Sequence, residues 1–126
     1  MKLGIVVCTY VGYENWLQNL LNPFKGGSAY PLYVVMNGVK NLPDKNGYLD
    51  AFKKCFLQYP VSLLEGTDNF EVGAIHDVIL QTDLDEFLFL QASMEVKDFE
   101  IFEIVFRQYL GRSVAITPKF FHFLGK

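Results

Sequence analysis

Residues 61–96 read VSLLEGTDNFEVGAIHDVILQTDLDEFLFLQASMEV, and their order decides the fold. Residues 61–64, stopped upstream by Pro60, read as a short strand. A polar turn follows. Ala74, Ile75, Val78 and Ile79 then recur at helical spacing, which predicts a helix over 73–80 with these side chains inward. Asp83, Asp85 and Glu86 form an acidic turn, and FLFL at 87–90 predicts a second, buried strand. Strand, helix and strand in this order predict a parallel crossover unit, because parallel strands need a connection long enough to return along the sheet.

The same alternation extends upstream. Residues 3–8 are a continuous apolar run, predicted as a strand, with a turn from Thr9-Tyr10. Trp16, Leu17, Leu20, Leu21 and Phe24 mark a helix that Asn22-Pro23 and Gly26-Gly27 end. Residues 31–36 predict a strand closed by Asn37-Gly38. Asn46-Gly47 introduces a helix with Leu49, Phe52, Phe56 and Tyr59 on its apolar face, stopped by Pro60. Downstream, Phe99, Phe102, Phe106 and Tyr109 share a helical face that ends at Gly111, and 114–117 predict a last strand. The expected fold is α/β: a three-layer sandwich with a mostly parallel sheet, forming a single domain over 1–126. In such sheets a ligand sits outside the carboxyl ends of the strands, where the winding reverses. Thr9-Tyr10, Asn37-Gly38, the segment 67–77 and the segment 91–95 should therefore share one edge.

Composition narrows the function. The chain has 126 residues, 51% hydrophobic and 20% charged, with a net charge of -3. Scattered Lys and Arg form no basic stripe, so a nucleic-acid partner is not expected. Aromatics reach 16%, enough for a rich core or for an apolar surface that meets a partner. Two cysteines, Cys8 and Cys55, make neither a zinc motif nor a disulfide framework, and both are expected to be buried thiols. The N-terminus lacks the features of a secretory signal. No run approaches the roughly twenty apolar residues of a membrane span, so a cytoplasmic setting is expected. Phosphate-cradling glycine motifs and a serine elbow are absent, which argues against dinucleotide enzymes, nucleoside triphosphatases and α/β hydrolases.

On these motifs the chain resembles the donor-binding half of family-2-like inverting glycosyltransferases of the A fold. The strand ending in Thr9-Tyr10, VVMNG at 34–38, the segment beginning at Asn69, and FLFL at 87–90 are similar to that family's donor-site elements in order and spacing. The resemblance implies a nucleotide-diphospho-sugar transferase-like fold. It also implies a nucleotide-sugar ligand, a UDP-sugar first among them, and transfer of a hexose or related sugar to a hydroxyl acceptor. It carries roles over to particular residues. Thr9 would lie at the first strand's end, and Tyr10 or Val11 would flank the nucleobase. Asn37 would bond the base edge, and Asn69 would shape the base and ribose pocket. His76 and Asp77 would lie near the diphosphate, and Gln91 and Ser93 would stand at the family's two metal-binding acid positions, with Ala92 between them.

Departures from the pattern are as informative. Met36 stands where the family carries an acid, and Glu71 where it carries a glycine. Magnesium or manganese bridging two phosphates needs hard, usually anionic oxygens, which Gln91 and Ser93 do not supply. No metal cofactor is therefore firmly implied; Glu95, two residues beyond Ser93, is the remaining candidate ligand. The family's acceptor half would begin about where this sequence stops. An apolar tail with Phe120, Phe121 and Phe123 favours pairing with a second copy, so a homo-oligomer is expected.

Each candidate also has a plainer role. His76 can be a surface helical residue, and His122 a packing residue of the aromatic tail. Asp68 and Asn69 can cap the helix that follows them. The acidic turn at 83–86 can be solvated. Two functions stay open at this point: a nucleotide-sugar transferase, and a non-catalytic binding or assembly module on the same scaffold.

Overall fold

A computed structural model describes residues 2–94 together with Gln108. Apart from Gln108, the expected helix and strand at 99–117 lie outside the described residues, as do Glu95, His122 and the tail phenylalanines. Within the described residues the order is β1 (Leu3–Tyr10), α1 (Glu14–Leu21) with a 3-10 turn (Asn22–Phe24), and β2 (Leu32–Asn37). Then follow α2 (Lys45–Cys55), β3 (Val61–Glu65), α3 (Phe70–Gln81) and β4 (Glu86–Gln91). The four strands form one sheet in the order β3-β2-β1-β4, and every pairing is parallel. The chain is therefore α/β, as its alternating pattern predicts.

Strand order follows from burial. Gly4 through Thr9 are all buried, so β1 needs a neighbour on each edge and a layer on each face. Val7 pairs with Val34 on one side and with Leu90 on the other. Alternate β1 residues then enter different cores. Ile5 and Val7 pack with Leu17, Leu20 and Leu21 of α1, Phe24, and Phe52 of α2. Val6 and Cys8 pack with Ala74 and Val78 of α3. Right-handed crossovers explain the split: the steps from β1 to β2 and β2 to β3 run one way, and the step to β4 runs the other. Helices α1 and α2 thus cover one face, and α3 the opposite face.

Several boundaries differ from expectation. Strand β1 continues through Thr9 and Tyr10, because the β2 ladder still pairs them with Met36 and Asn37. Helix α2 begins at Lys45, where Asp44 accepts a hydrogen bond from Gly47 N at 3.1 Å as its cap. Asn46 and Gly47 are therefore first-turn residues rather than a preceding turn. Helix α3 starts three residues before the expected 73. Its sheet-facing stripe is narrow: Ala74 and Val78 are fully buried, whereas Ile79, one 100° step away, is 62% exposed. Trp16 is likewise on the rim of its helix and 53% exposed. Cys8 is buried as expected, but Cys55 is exposed at the end of α2. The acidic turn is solvated and closes the amino edge of the sheet, where Asp83 pairs with Lys2 Nζ and Asp85 accepts from Lys2 N at 2.6 Å.

The turn out of β3 is tight. Gly66 N donates to Met36 O at 2.8 Å, and an added Cβ would collide with Asn37 Oδ1 and lie 3.1 Å from Met36 O. Gly66→Ala must therefore shift either the Asn37 amide or the backbone. The expected loss is about 1–3 kcal/mol, as for other overpacked sites. Urea denaturation would measure it, and an unchanged midpoint would show that the turn has room to spare.

Candidate functional site

The carboxyl edge of the sheet is built by its loops. After Tyr10 the chain turns through Gly12, whose φ of 97° a side chain would resist, and Tyr13 N closes the turn on Tyr10 O at 3.0 Å. That turn places Tyr13 and Trp16 at the start of α1, beside the end of β1. On the other side, Ala92 N donates to Cys8 O at 2.9 Å and carries the β1–β4 ladder one residue further. Between β2 and β3, Asn37 is buried and fixes the next loop. Its Oδ1 accepts from Asp68 N at 3.2 Å, and its Nδ2 donates to Cys8 Sγ at 3.4 Å. Asp68 sits at φ 64° and accepts from Gly38 N at 2.6 Å. Asp77 is also buried, and its Oδ2 accepts from Thr67 N at 2.9 Å and Thr67 Oγ1 at 3.2 Å. These bonds pin the loop before α3 to the sheet and so set the position of the helix's first turn.

A cleft of about 130 Å³ opens between the ends of β1 and β4. Tyr10, Tyr13 and Trp16 form one wall, with ring centroids 5.4 Å apart for the first pair and 5.1 Å for the second. Gln91, Ala92 and Ser93 form the opposite wall, and Cys8 also lines it. Glu71, in the first turn of α3, contributes the charged group and accepts from Tyr10 Oη at 3.3 Å. Burial, then the neighbouring Cys8, pushes the Tyr10 phenol above its ordinary range, so it stays a neutral donor. Burial likewise pushes the Cys8 thiol up. A second groove of about 380 Å³ runs between α1 and α2, past Gln18, Tyr48, Phe52 and Cys55, and is largely apolar.

The expected site residues divide into groups. Tyr10, Gln91 and Ser93, from distant parts of the sequence, do meet in the cleft. Thr9 is fully buried, and among the described residues its Oγ1 has no hydrogen-bond partner. Val11 lies one step beyond Tyr10, where its N donates to Asn37 O at 3.0 Å. Asn37 divides its amide between the loop at Asp68 and the Cys8 thiol, Asp77 accepts from the loop at Thr67, and neither lines the cleft. Asn69 is exposed at the cap of α3 and donates to Thr67 Oγ1 at 3.2 Å. His76 is exposed on α3 and does not line the cleft. Sequence reasoning missed Tyr13, Trp16 and Glu71 as lining residues. The available signal was the three-residue spacing of Tyr10, Tyr13 and Trp16, which places aromatic rings along one side of a turn entering a helix.

A hard divalent cation does not fit the described donors. Gln91 offers an amide and Ser93 a hydroxyl, both neutral, and Glu71 is the one carboxylate among the described residues lining the cleft, fewer anionic oxygens than such a site usually has. No group of three or more His, Cys, Asp or Glu side chains that could hold a metal occurs among the described residues. Also among them, no helix is long and apolar enough to cross a membrane. Comparison with protein-family models, with curated proteins and with solved structures returned no match.

The two thiols should react very differently. Cys55 is exposed, whereas Cys8 is enclosed and held protonated by burial. Iodoacetamide at pH 8 is expected to label one equivalent rapidly and the second only after denaturation. Mass spectrometry of the labelled peptides would identify the sites. Fast labelling of Cys8 in the folded chain would contradict the enclosed floor of the cleft.

Proposed function

We propose that the chain is a nucleotide-diphospho-sugar-binding domain similar to glycosyltransferases of the A fold. One observation carries this reading: Tyr10, Gln91 and Ser93 converge on a cleft where the winding of a parallel sheet reverses. Parallel α/β sheets hold ligands at that place, and the motif order in the sequence independently points to a nucleotide-sugar, a UDP-sugar first among them. The implied reaction transfers the sugar to an acceptor hydroxyl with inversion. The acceptor oxygen bonds to the anomeric carbon as the bond to the diphosphate breaks, and the hydroxyl proton passes to a base. The aromatic wall would orient the donor, and Gln91 and Ser93 would bond its polar groups.

A second reading has its own support. Gln91 and Ser93 are neutral, so neither supplies the anionic oxygens that a metal offsetting a departing diphosphate needs. This favours a non-catalytic descendant that keeps donor binding as a binding or assembly module. The assignment of this chain to a homo-oligomer belongs to the same proposal and rests on its aromatic tail.

Calorimetry with a panel of nucleotides and nucleotide-sugars, with and without manganese, tests both readings. Uridine nucleotides are expected to bind, with manganese adding no more than its own chelation by the nucleotide. Gln91→Asp combined with Ser93→Asp is expected to create measurable manganese affinity. Tight manganese binding by the unaltered chain would restore a metal-dependent transferase, and no binding by any nucleotide would reject the donor reading.

A further inference from the structure

The cleft's size and charge say which part of a ligand it takes. Its volume of about 130 Å³ is that of one ring; an apolar cavity of about 150 Å³ holds a single benzene. Its wall is aromatic, and Glu71 is the one charged side chain among the described residues that line it. One Glu71 oxygen accepts from Tyr10, and the carboxylate has further acceptor capacity toward the cleft but nothing to donate. A phosphate entering here would meet a like charge with no described cation to offset it. A ring carrying N–H or O–H groups would meet an aromatic face, a carboxylate acceptor and the Gln91 amide.

We propose that this cleft is a subsite for an uncharged six-membered ring bearing hydrogen-bond donors, with Glu71 selecting for donors and excluding phosphate. The inference rests on the donor-binding reading, since it names the portion of the donor that enters. Two rings share this chemistry, a pyrimidine base and a pyranose sugar. In either case the diphosphate lies outside the cleft, and Glu71 is a specificity-determining residue.

Trp16 provides the test, because it is the chain's single tryptophan and lies on the cleft wall. Its emission is followed while uridine, methyl glucoside and pyrophosphate are titrated separately into the intact chain. One of the two neutral rings is expected to shift the emission saturably, and which one does so identifies the ring. Pyrophosphate alone is expected to leave the emission unchanged. Glu71→Gln is expected to weaken the responding ring by about tenfold or more, the size of a lost hydrogen bond to a charged group. A urea midpoint for Glu71→Gln equal to that of the unaltered chain is expected, which separates loss of the ring's contact from loss of folding.

A pyrophosphate response in the unaltered chain, or no response to either ring, would overturn the proposal. Calorimetry with UDP-glucose separates this failure from failure of the wider reading. Binding that leaves Trp16 emission unmoved would reject the ring subsite and keep the donor site. A neutral ring that binds where UDP-glucose does not would keep the subsite and reject the donor site.

Discussion

Strand β1 is hydrogen-bonded along both edges, to β2 and to β4, and buried on both faces. The rest of the fold follows from satisfying that strand. Its flanking partners are reached by connections that run in opposite directions, so the helices divide between the two faces. At the carboxyl end of β1 the outgoing turn leads away to α1, while β4 arrives from beneath α3. No regular element crosses the gap between them within the described residues. The cleft is a consequence of the winding, and the side chains at the ends of β1 and β4 inherit its lining.

Buried polar side chains hold that edge in shape. Asn37 and Asp77 sit where nucleotide contacts were expected, yet both help fix the loop that precedes α3, Asn37 by tying Asp68 of that loop to Cys8 of β1 and Asp77 by accepting from Thr67. A buried amide or carboxylate without such partners would be costly, which explains why their bonds turn inward. Their effect on a ligand is indirect: they fix the helix start and thereby aim Glu71 at Tyr10. Electrostatics then limit what the cleft accepts. Two like charges about 4 Å apart near a protein surface repel by about 4 kcal/mol, more than the roughly 1.5–3 kcal/mol net gain from one hydrogen bond to a charged group.

The strands and the layer order were readable because they depend on local patterns. The apolar run at 3–8 specifies burial on both faces, FLFL at 87–90 specifies a strand of which Leu90 is buried and the other three are half-buried, and Leu17, Leu20, Leu21 and Phe24 specify a helix face against the sheet. The site was only partly readable. Tyr10, Gln91 and Ser93 could be placed by their position at strand ends. Asn37 could not, because its partners Asp68 and Cys8 are 31 and 29 residues away and only the strand order unites them. Trp16 matched the helical repeat of the core, and periodicity does not distinguish a core position from the cleft-facing edge of the same helix. Glu71 reads in sequence only as a departure from a glycine position, ahead of a helix expected from 73; its meeting with Tyr10 depends on the earlier helix start and on the loop between β3 and α3.

The central claim is that ligand enters where β1 and β4 end. Amide and indole chemical-shift mapping by NMR during addition of UDP-glucose tests it most directly. Shifts are expected at Tyr10, the Trp16 indole N–H, Glu71 and Gln91, with smaller changes along the loop that Asn37 and Asp77 hold. Shifts confined to the groove between α1 and α2, around Tyr48, Phe52 and Cys55, would contradict it.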